Sequence, residues 1–341
     1  MSNDIRIRKG LDISLLGSAE KQTKELPLSS LYCLKPSDFH LVIPKLVARE
    51  GAVVKAGDTI FYDKRDERVL FPSPVSGTIT EIVRGERRKI LEIRITPDNV
   101  QSFQDFGKKN VVDLSAEQIK AHLLQSGCWP FIKQRPYDVI ANPDGQPKAI
   151  FVSACKTNPL APDYDYVLKG KEQALQTALT ALSKLTTGKV HVSVFKDSSL
   201  SPFRNLKDIE IHNVSGPHPA GNVSTQIAHI SPINKGEVVW VVTPQDLVVI
   251  GELFLTGKLN LTRAVALTGS QVENPHYVTA IAGAQISGVV GAQVKDATNT
   301  RIISGDVLTG HKVDEKGFLG YYDDQITAIP EGNDYDLFGW A

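Results

Sequence analysis

The sequence predicts a multidomain α/β protein in which a barrel-sandwich of short strands is followed by a Rossmann-like α/β unit and then by a small β-grasp. Three observations carry this. Glycine turns punctuate short alternating strands over residues 49–82, apolar strands alternate with amphipathic helices over 148–257, and a second strand-rich stretch begins at Asn260. A length of 341 residues allows two or three units at about 100 to 200 residues each.

In the first unit, Glu50-Gly51 and Ala56-Gly57-Asp58 make two turns, and Pro72, Pro74 and Gly77 break the chain before the strand Thr78 to Ile82. This pattern resembles small barrel-sandwich domains of the biotinyl/lipoyl type. Carrier members of that class present one lysine at a hairpin tip. The corresponding run here is Tyr62-Asp63-Lys64-Arg65-Asp66-Glu67-Arg68-Val69, a partial match, and Lys64 is expected to lie too close to Gly57-Asp58 to reach the tip. The charge run reads as a solvated face, and the module as a scaffold. This first region spans residues 1–110, with its last strand at Lys89 to Ile95.

The second unit covers residues 111–258. Ser115 is placed to cap a helix whose apolar face is Ile119, Leu123 and Leu124. Lys148 to Ala154 reads as a buried strand, and Gly170 to Thr186 as a helix presenting Ala174, Leu175, Ala178, Leu182 and Leu185 on one face. The strand Lys189 to Phe195 follows, so the order strand, helix, strand implies a parallel crossover. Ile209 to His212 and Val238 to Val242 add strands, and Pro244-Gln245-Asp246 opens a helix that runs toward Gly257. The third unit, residues 259–331, takes its strands from Asn260 to Leu267 and Arg301 to Leu308, with a small-residue segment from Ala280 to Val290 between them. Residues 332–341 end on an aromatic run without a cap and read as the start of a truncated C-terminal region.

Composition excludes several classes. Lysine plus arginine and aspartate plus glutamate stand at 38 each, so no global field favours nucleic acid. Cys33, Cys128 and Cys155 are far apart and odd in number, which argues against a disulfide framework and a tetrahedral metal site and for a reducing, cytoplasmic setting. No apolar run is long enough to span a bilayer, so membrane association is expected to be peripheral or through a partner.

The domain order, together with Gly216-Pro217-His218-Pro219-Ala220-Gly221, the tract Ser126 to Pro136 and Leu308-Thr309-Gly310, resembles the A subunits of the bacterial sodium-translocating NADH:quinone reductases. Wider kin are the C subunit of the Rnf complex and the NADH-binding flavoprotein subunit of respiratory complex I. The resemblance implies a peripheral subunit on the cytoplasmic face of the bacterial inner membrane. Its partners would be the other components of a complex that oxidises NADH, reduces quinone and pumps Na+, chiefly the membrane-embedded B subunit and the FMN-bearing C subunit.

Where flavin-binding kin carry a glycine-rich phosphate loop, this chain has Gly127-Cys128-Trp129-Pro130-Phe131, with two bulky aromatics and a proline that lacks a donor. Pro219-Ala220-Gly221-Asn222-Val223 lacks the kin's carboxylate, and Cys155 stands alone in Ala154-Cys155-Lys156-Thr157. No flavin or iron–sulfur centre of its own is therefore expected, and Cys155 reads as a small packed residue.

A quinone remains as a possible ligand. It is flat, with two acceptor carbonyls, so it requires aromatic surface and one or two donors. The candidate residues are Trp129, Phe131, Lys133 and His218. The aromatics are read either as a platform or as a plug of the vacated cavity, the plug being favoured for Trp129. Phe131 is expected at the mouth of the cleft, on a loop leading to a strand from Tyr137 to Ile140. His212, His218 and His229 do not read as a metal set, since no carboxylate or cysteine joins them at a helical or hairpin spacing. Asn142-Pro143-Asp144-Gly145 reads as a turn. Two rivals stand beside the leading reading: a carrier modified on Lys64, and a free-standing flavin-dependent NADH dehydrogenase.

Overall fold

The fold is described from a computed structural model for residues 4–333; the aromatic tail read as the start of a truncated region lies outside the described residues. The first two strands leave the amino-terminal unit altogether. β1 (Asp4–Arg6) and β2 (Glu20–Glu25) each complete a sheet that belongs to a later part of the chain.

The barrel-sandwich follows, from β3 (Tyr32–Leu34), β4 (Pro44–Leu46), β5 (Val53–Val54), β6 (Thr59–Asp63), β7 (Asp66–Pro72), β8 (Gly77–Arg84) and β9 (Ile90–Pro97). They form one sheet in the order β3-β9-β8-β5 and another in the order β4-β6-β7. Alternation along β8 and β9 buries Ile79, Ile93 and Ile95, while Ile60, Phe61 and Phe71 are buried where the β6–β7 register is irregular. The β6–β7 hairpin pairs Asp63 with Asp66, so its two-residue turn is Lys64-Arg65. Lys64 thus stands exposed at the tip, contrary to the sequence expectation, because β6 starts directly after the Gly57-Asp58 turn and uses the intervening residues as strand. The charge run is also more than a solvated face. Arg68 donates to both oxygens of Asp144, at 2.9 and 2.7 Å, across the boundary to the second unit.

The second unit contains α1 (Ala116–Gln125), β10 (Lys133–Arg135), β11 (Val139–Ile140), β12 (Ile150–Ser153), α2 (Tyr164–Val167), α3 (Glu172–Ser183), β13 (Val190–Phe195), β14 (Glu210–Ser215), α4 (Val223–Ile230), β15 (Val239–Val241) and α5 (Pro244–Thr256). Ser115 caps α1 in a reciprocal box with Gln118. The sheet order is β1-β14-β13-β12-β15-β10-β11. Strands β1, β14, β13, β12 and β15 are parallel, and β10 and β11 are antiparallel. Tyr137 is not in a strand; it sits exposed in the turn of the β10–β11 hairpin. Helices α3 and α5 share a core with Ile150, Val152, Val190 and Val192 on one face, while Ile227 of α4 packs with Phe151, Val239 and Val241 on the other. A Cβ at Gly251 of α5 would fall 1.9 Å from the Ala174 carbonyl oxygen of α3, so that glycine sets how closely the two helices approach.

The third unit is a mixed sheet made from β16 (Thr262–Thr268), β17 (His276–Ile281), β18 (Thr300–Ser304), β19 (His311–Val313) and β20 (Gln325–Pro330), with α6 (Ile286–Val290). Its order is β19-β18-β20-β16-β17-β2. The small-residue segment ends β17 and turns at Gly283, whose left-handed backbone passes so close to Cys33 that a Cβ would meet that carbonyl oxygen at 2.2 Å.

One aromatic junction joins all three units. Phe39 lies 4.4 Å from Phe71 and 4.8 Å from Tyr321, and Phe131 stacks on Tyr321 at 5.5 Å. Asp38 accepts from the Tyr321 backbone N–H, and Tyr322 donates its hydroxyl proton to the Pro130 carbonyl at 2.8 Å.

Candidate functional site

Parallel strands with helices on both faces leave a crevice at their carboxyl ends where the chain's direction of travel across the sheet reverses. Here β12 lies between β13 and β15, and a cleft of about 590 Å³ opens at that point. Ser153, Val241 and Thr243 form its floor at the strand ends. Lys133, Arg135 and Asp138 come from the β10–β11 hairpin, Asp38 and His40 from the first unit, and Thr309 and Tyr322 from the third. A cleft shared by three units is a preferred place for a small ligand.

Lys133 is its most distinctive side chain. Its Nζ lies 3.8 Å from the centroid of the Tyr322 ring, a cation over an aromatic face. Burial pushes the ammonium down to about 8, against the opposing pull of Asp138 and Asp246. A second cation, Lys156, is paired with the buried Asp324, which also accepts from the Tyr164 hydroxyl at 2.7 Å. Burial alone would raise the Asp324 carboxyl, but the ammonium beside it and these hydrogen bonds hold it below the usual range. Behind the wall, Asp246 and Arg263 face each other at 3.4 Å, both fully buried. Desolvation raises the Asp246 carboxyl despite the guanidinium.

The amino-terminal end of α4 also enters the cleft through Asn222, Val223 and Ser224. Asn222 makes no side-chain cap; the Thr225 and Gln226 N–H groups bond to its carbonyl, which leaves those of Val223 and Ser224, both cleft-lining, as first-turn donors. The cleft therefore offers an ammonium, backbone donors and one aromatic ring to a flat acceptor.

The sequence candidates divide. Lys133 lines the cleft. His218 is half-buried and sits one residue back, with Nδ1 at 3.1 Å from the hydroxyl of Thr157, which lines it. Trp129 and Phe131 do not wall the cleft, and Phe131 is not at its mouth. Residues Trp129–Phe131 close into a 3-10 turn that drives both rings inward. Trp129 is fully buried, donates to the Ala141 carbonyl at 2.7 Å and meets Trp240 edge-on. Phe131 is 1% exposed, between Tyr321 and Tyr322. Tyr322 was missed: its partners lie about 190 residues upstream, and no local spacing signals it.

The cysteines are separate and buried. Cys155 accepts from Gln226 at 3.2 Å, and burial pushes its thiol up to about 11, as suits a packed residue. Of the three histidines, His229 is exposed and bonds within α4 to the Thr225 carbonyl. His212 has other company: Glu210 stands two residues before it on the same strand face, and the two group with His191 rather than with His218 or His229. The His212 ring lies 3.0 Å from His191. Burial holds both imidazoles below their ordinary values, His191 at about 4.

Three domain families match. The NqrA N-terminal barrel-sandwich hybrid domain covers residues 5–98, the NqrA second alpha/beta domain 114–259, and the NQRA C-terminal domain 264–315. The chain is 37% identical over 340 residues to the A subunit of the Na(+)-translocating NADH-quinone reductase of Neisseria meningitidis serogroup A, spanning 99% of this chain and 76% of that one. The same figures hold for the A subunit of Yersinia pseudotuberculosis serotype O:1b. A crystal structure of an air-oxidized NAD+-reducing [NiFe]-hydrogenase superposes at TM-score 0.40 with 12% identity, over 55% of this chain and 41% of that one, too loosely to carry a functional argument. On the matching domains and relatives, the chain belongs to the family of NqrA, the A subunits of the Na+-translocating NADH-quinone reductases.

Proposed function

We propose that this chain is the peripheral, non-catalytic subunit of a respiratory complex that oxidises NADH, reduces quinone and moves Na+ out of the cell, and that its cleft receives a quinone head group. The lining of the cleft supports the quinone reading: the Lys133 ammonium and the first turn of α4 are donors of the kind two carbonyl oxygens need, and Tyr322 is an aromatic surface. Attachment to the cytoplasmic face of the inner membrane would come through partners, the membrane-embedded B subunit and the FMN-bearing C subunit. In keeping with that, no helix among the described residues is long and apolar enough to cross a membrane. The chain would lend no flavin or iron–sulfur centre of its own. For the iron–sulfur part of this reading, the support is that each cysteine is buried with its thiol raised by desolvation.

Equilibrium dialysis against a short-chain quinone tests the cleft. Lys133→Met should weaken binding at least about tenfold, as expected for losing a hydrogen bond from a charged donor, with the fold unchanged by circular dichroism. Equal affinity in the two proteins would remove quinone from this site. Stoichiometric flavin surviving gel filtration would overturn the cofactor-free reading. The carrier alternative is left without support by the family, and an unmodified intact mass across Lys64 is the expected result.

A further inference from the structure

A second group of polar side chains lies at the opposite end of the α/β sheet from the cleft. β13 and β14 run parallel with His191 directly across from Glu210. Because strand side chains alternate, His212 shares the face of Glu210. His191 Nδ1 lies 3.0 Å from His212 Nε2 and 3.5 Å from a carboxylate oxygen of Glu210. One ligand atom from each residue falls within 4.8 Å of the others.

A hydrogen bond between the two rings accounts for the 3.0 Å contact, and the Glu210 oxygen lies outside it at 3.5 Å. The same three atoms can instead present lone pairs to one ion. In tetrahedral zinc sites, bonds of about 2.0–2.2 Å put neighbouring ligand atoms roughly 3.3–3.5 Å apart; two edges here are 3.0 and 3.5 Å and the third is within 4.8 Å. Both rings are buried, at 8% and 7% exposure, and His191 packs 4.9 Å from Phe151, so their orientation is fixed. The Glu210 side chain is 43% exposed. It provides an entry path and leaves a fourth position for water. Lys189 approaches the other Glu210 oxygen at 3.8 Å, a loose exposed contact that leaves one oxygen for a metal.

We propose that His191, Glu210 and His212 bind one Zn2+ ion, which clasps β13 to β14 at their amino-terminal ends. Two imidazoles, one carboxylate and a water are a known zinc donor set, one that ferrous iron also accepts. The clasp lies across the sheet from the cleft and is independent of quinone binding, and its three protein ligands leave one position open to water.

The test is calorimetric titration of the chelator-stripped chain with ZnCl2 at neutral pH. One equivalent should bind, and saturating zinc should raise the melting temperature. Glu210→Gln, a conservative change at a half-exposed side chain, should weaken binding at least about tenfold and abolish the thermal shift. His212→Gln should remove binding, while His229→Ala, an exposed histidine on α4, should leave it intact. Absence of zinc uptake by the parent would overturn the proposal, as would equal affinity in the parent and Glu210→Gln. If His212→Gln fails to fold, Glu210→Gln alone decides.

Discussion

Burial and a ring face act on Lys133 in opposite directions. Desolvation lowers its ammonium to about 8, while the Tyr322 face favours the charged form. A ligand held by that charge should therefore bind with an affinity that is flat near neutrality and declines as pH rises through about 8, and Lys133→Arg should shift the decline to higher pH. Dialysis across the range from neutral to strongly alkaline reads both. Phe131 behaves differently. Its ring is enclosed by Tyr321 and Tyr322, so Phe131→Ala should cost about 3 to 5 kcal/mol of stability, as for other buried aromatics, and weaken quinone binding less than Lys133→Met does, since it reaches the ligand only through Tyr322. Denaturant unfolding and dialysis on the same variant separate the two outcomes. Lys133 was legible in the sequence because a cation beside a glycine-proline loop is a local feature. The inward direction of Phe131 was not, because it depends on tyrosines from a different unit.

Elements carry the next predictions. Gly251 sits mid-helix, where propensity alone would make Gly→Ala favourable by about 1 kcal/mol. The Ala174 carbonyl occupies the place of the new methyl, so Gly251→Ala should instead destabilise by about 1 to 3 kcal/mol, measured by chemical denaturation. Helix α1 holds His122 fully buried against Phe254, and burial with the nearby Lys109 lowers its imidazole to about 4. Between that value and the ordinary 6.5 or so, the unfolded chain binds more protons than the folded one, so acid favours unfolding. Stability should be level above about pH 7 and fall as pH drops from about 6.5 toward 4. His122→Leu should flatten part of it. Helix limits were readable where chemistry is local, as in the Ser115 cap and the left-handed Gly257 that ends α5. The grouping of His191 with Glu210 and His212 was not, since it rests on the register between strands joined by a long connection.

At the scale of the molecule, the order of barrel-sandwich, Rossmann-like sheet and β-grasp was visible in turn spacing and hydrophobic period. The junction that fixes the units together was hidden. Phe39, Phe131, Tyr321 and Tyr322 are scattered through the chain and meet only when every unit is in place, next to the cleft they support. Loss of that junction should loosen the cleft before it unfolds any single unit. Tyr321→Ala is expected to increase hydrogen exchange along β10 and the loop preceding β20 together, while the barrel-sandwich strands β8 and β9 stay protected.

The placement of β1 and β2 has a consequence for synthesis. Asp4 pairs with Asn213, and Glu20 with His276. At roughly 5–20 residues per second, the ribosome needs about 10 to 40 s after making the first of these strands before its partner exists. β1 and β2 therefore stay unpaired while most of the chain is made, and each partner strand, once made, is a bare sheet edge until its early strand docks, a state open to pairing with neighbours. A bulky fusion at the amino terminus burdens the segment that must wait longest, so fusions at the two ends are expected to differ in the yield of native protein from cells.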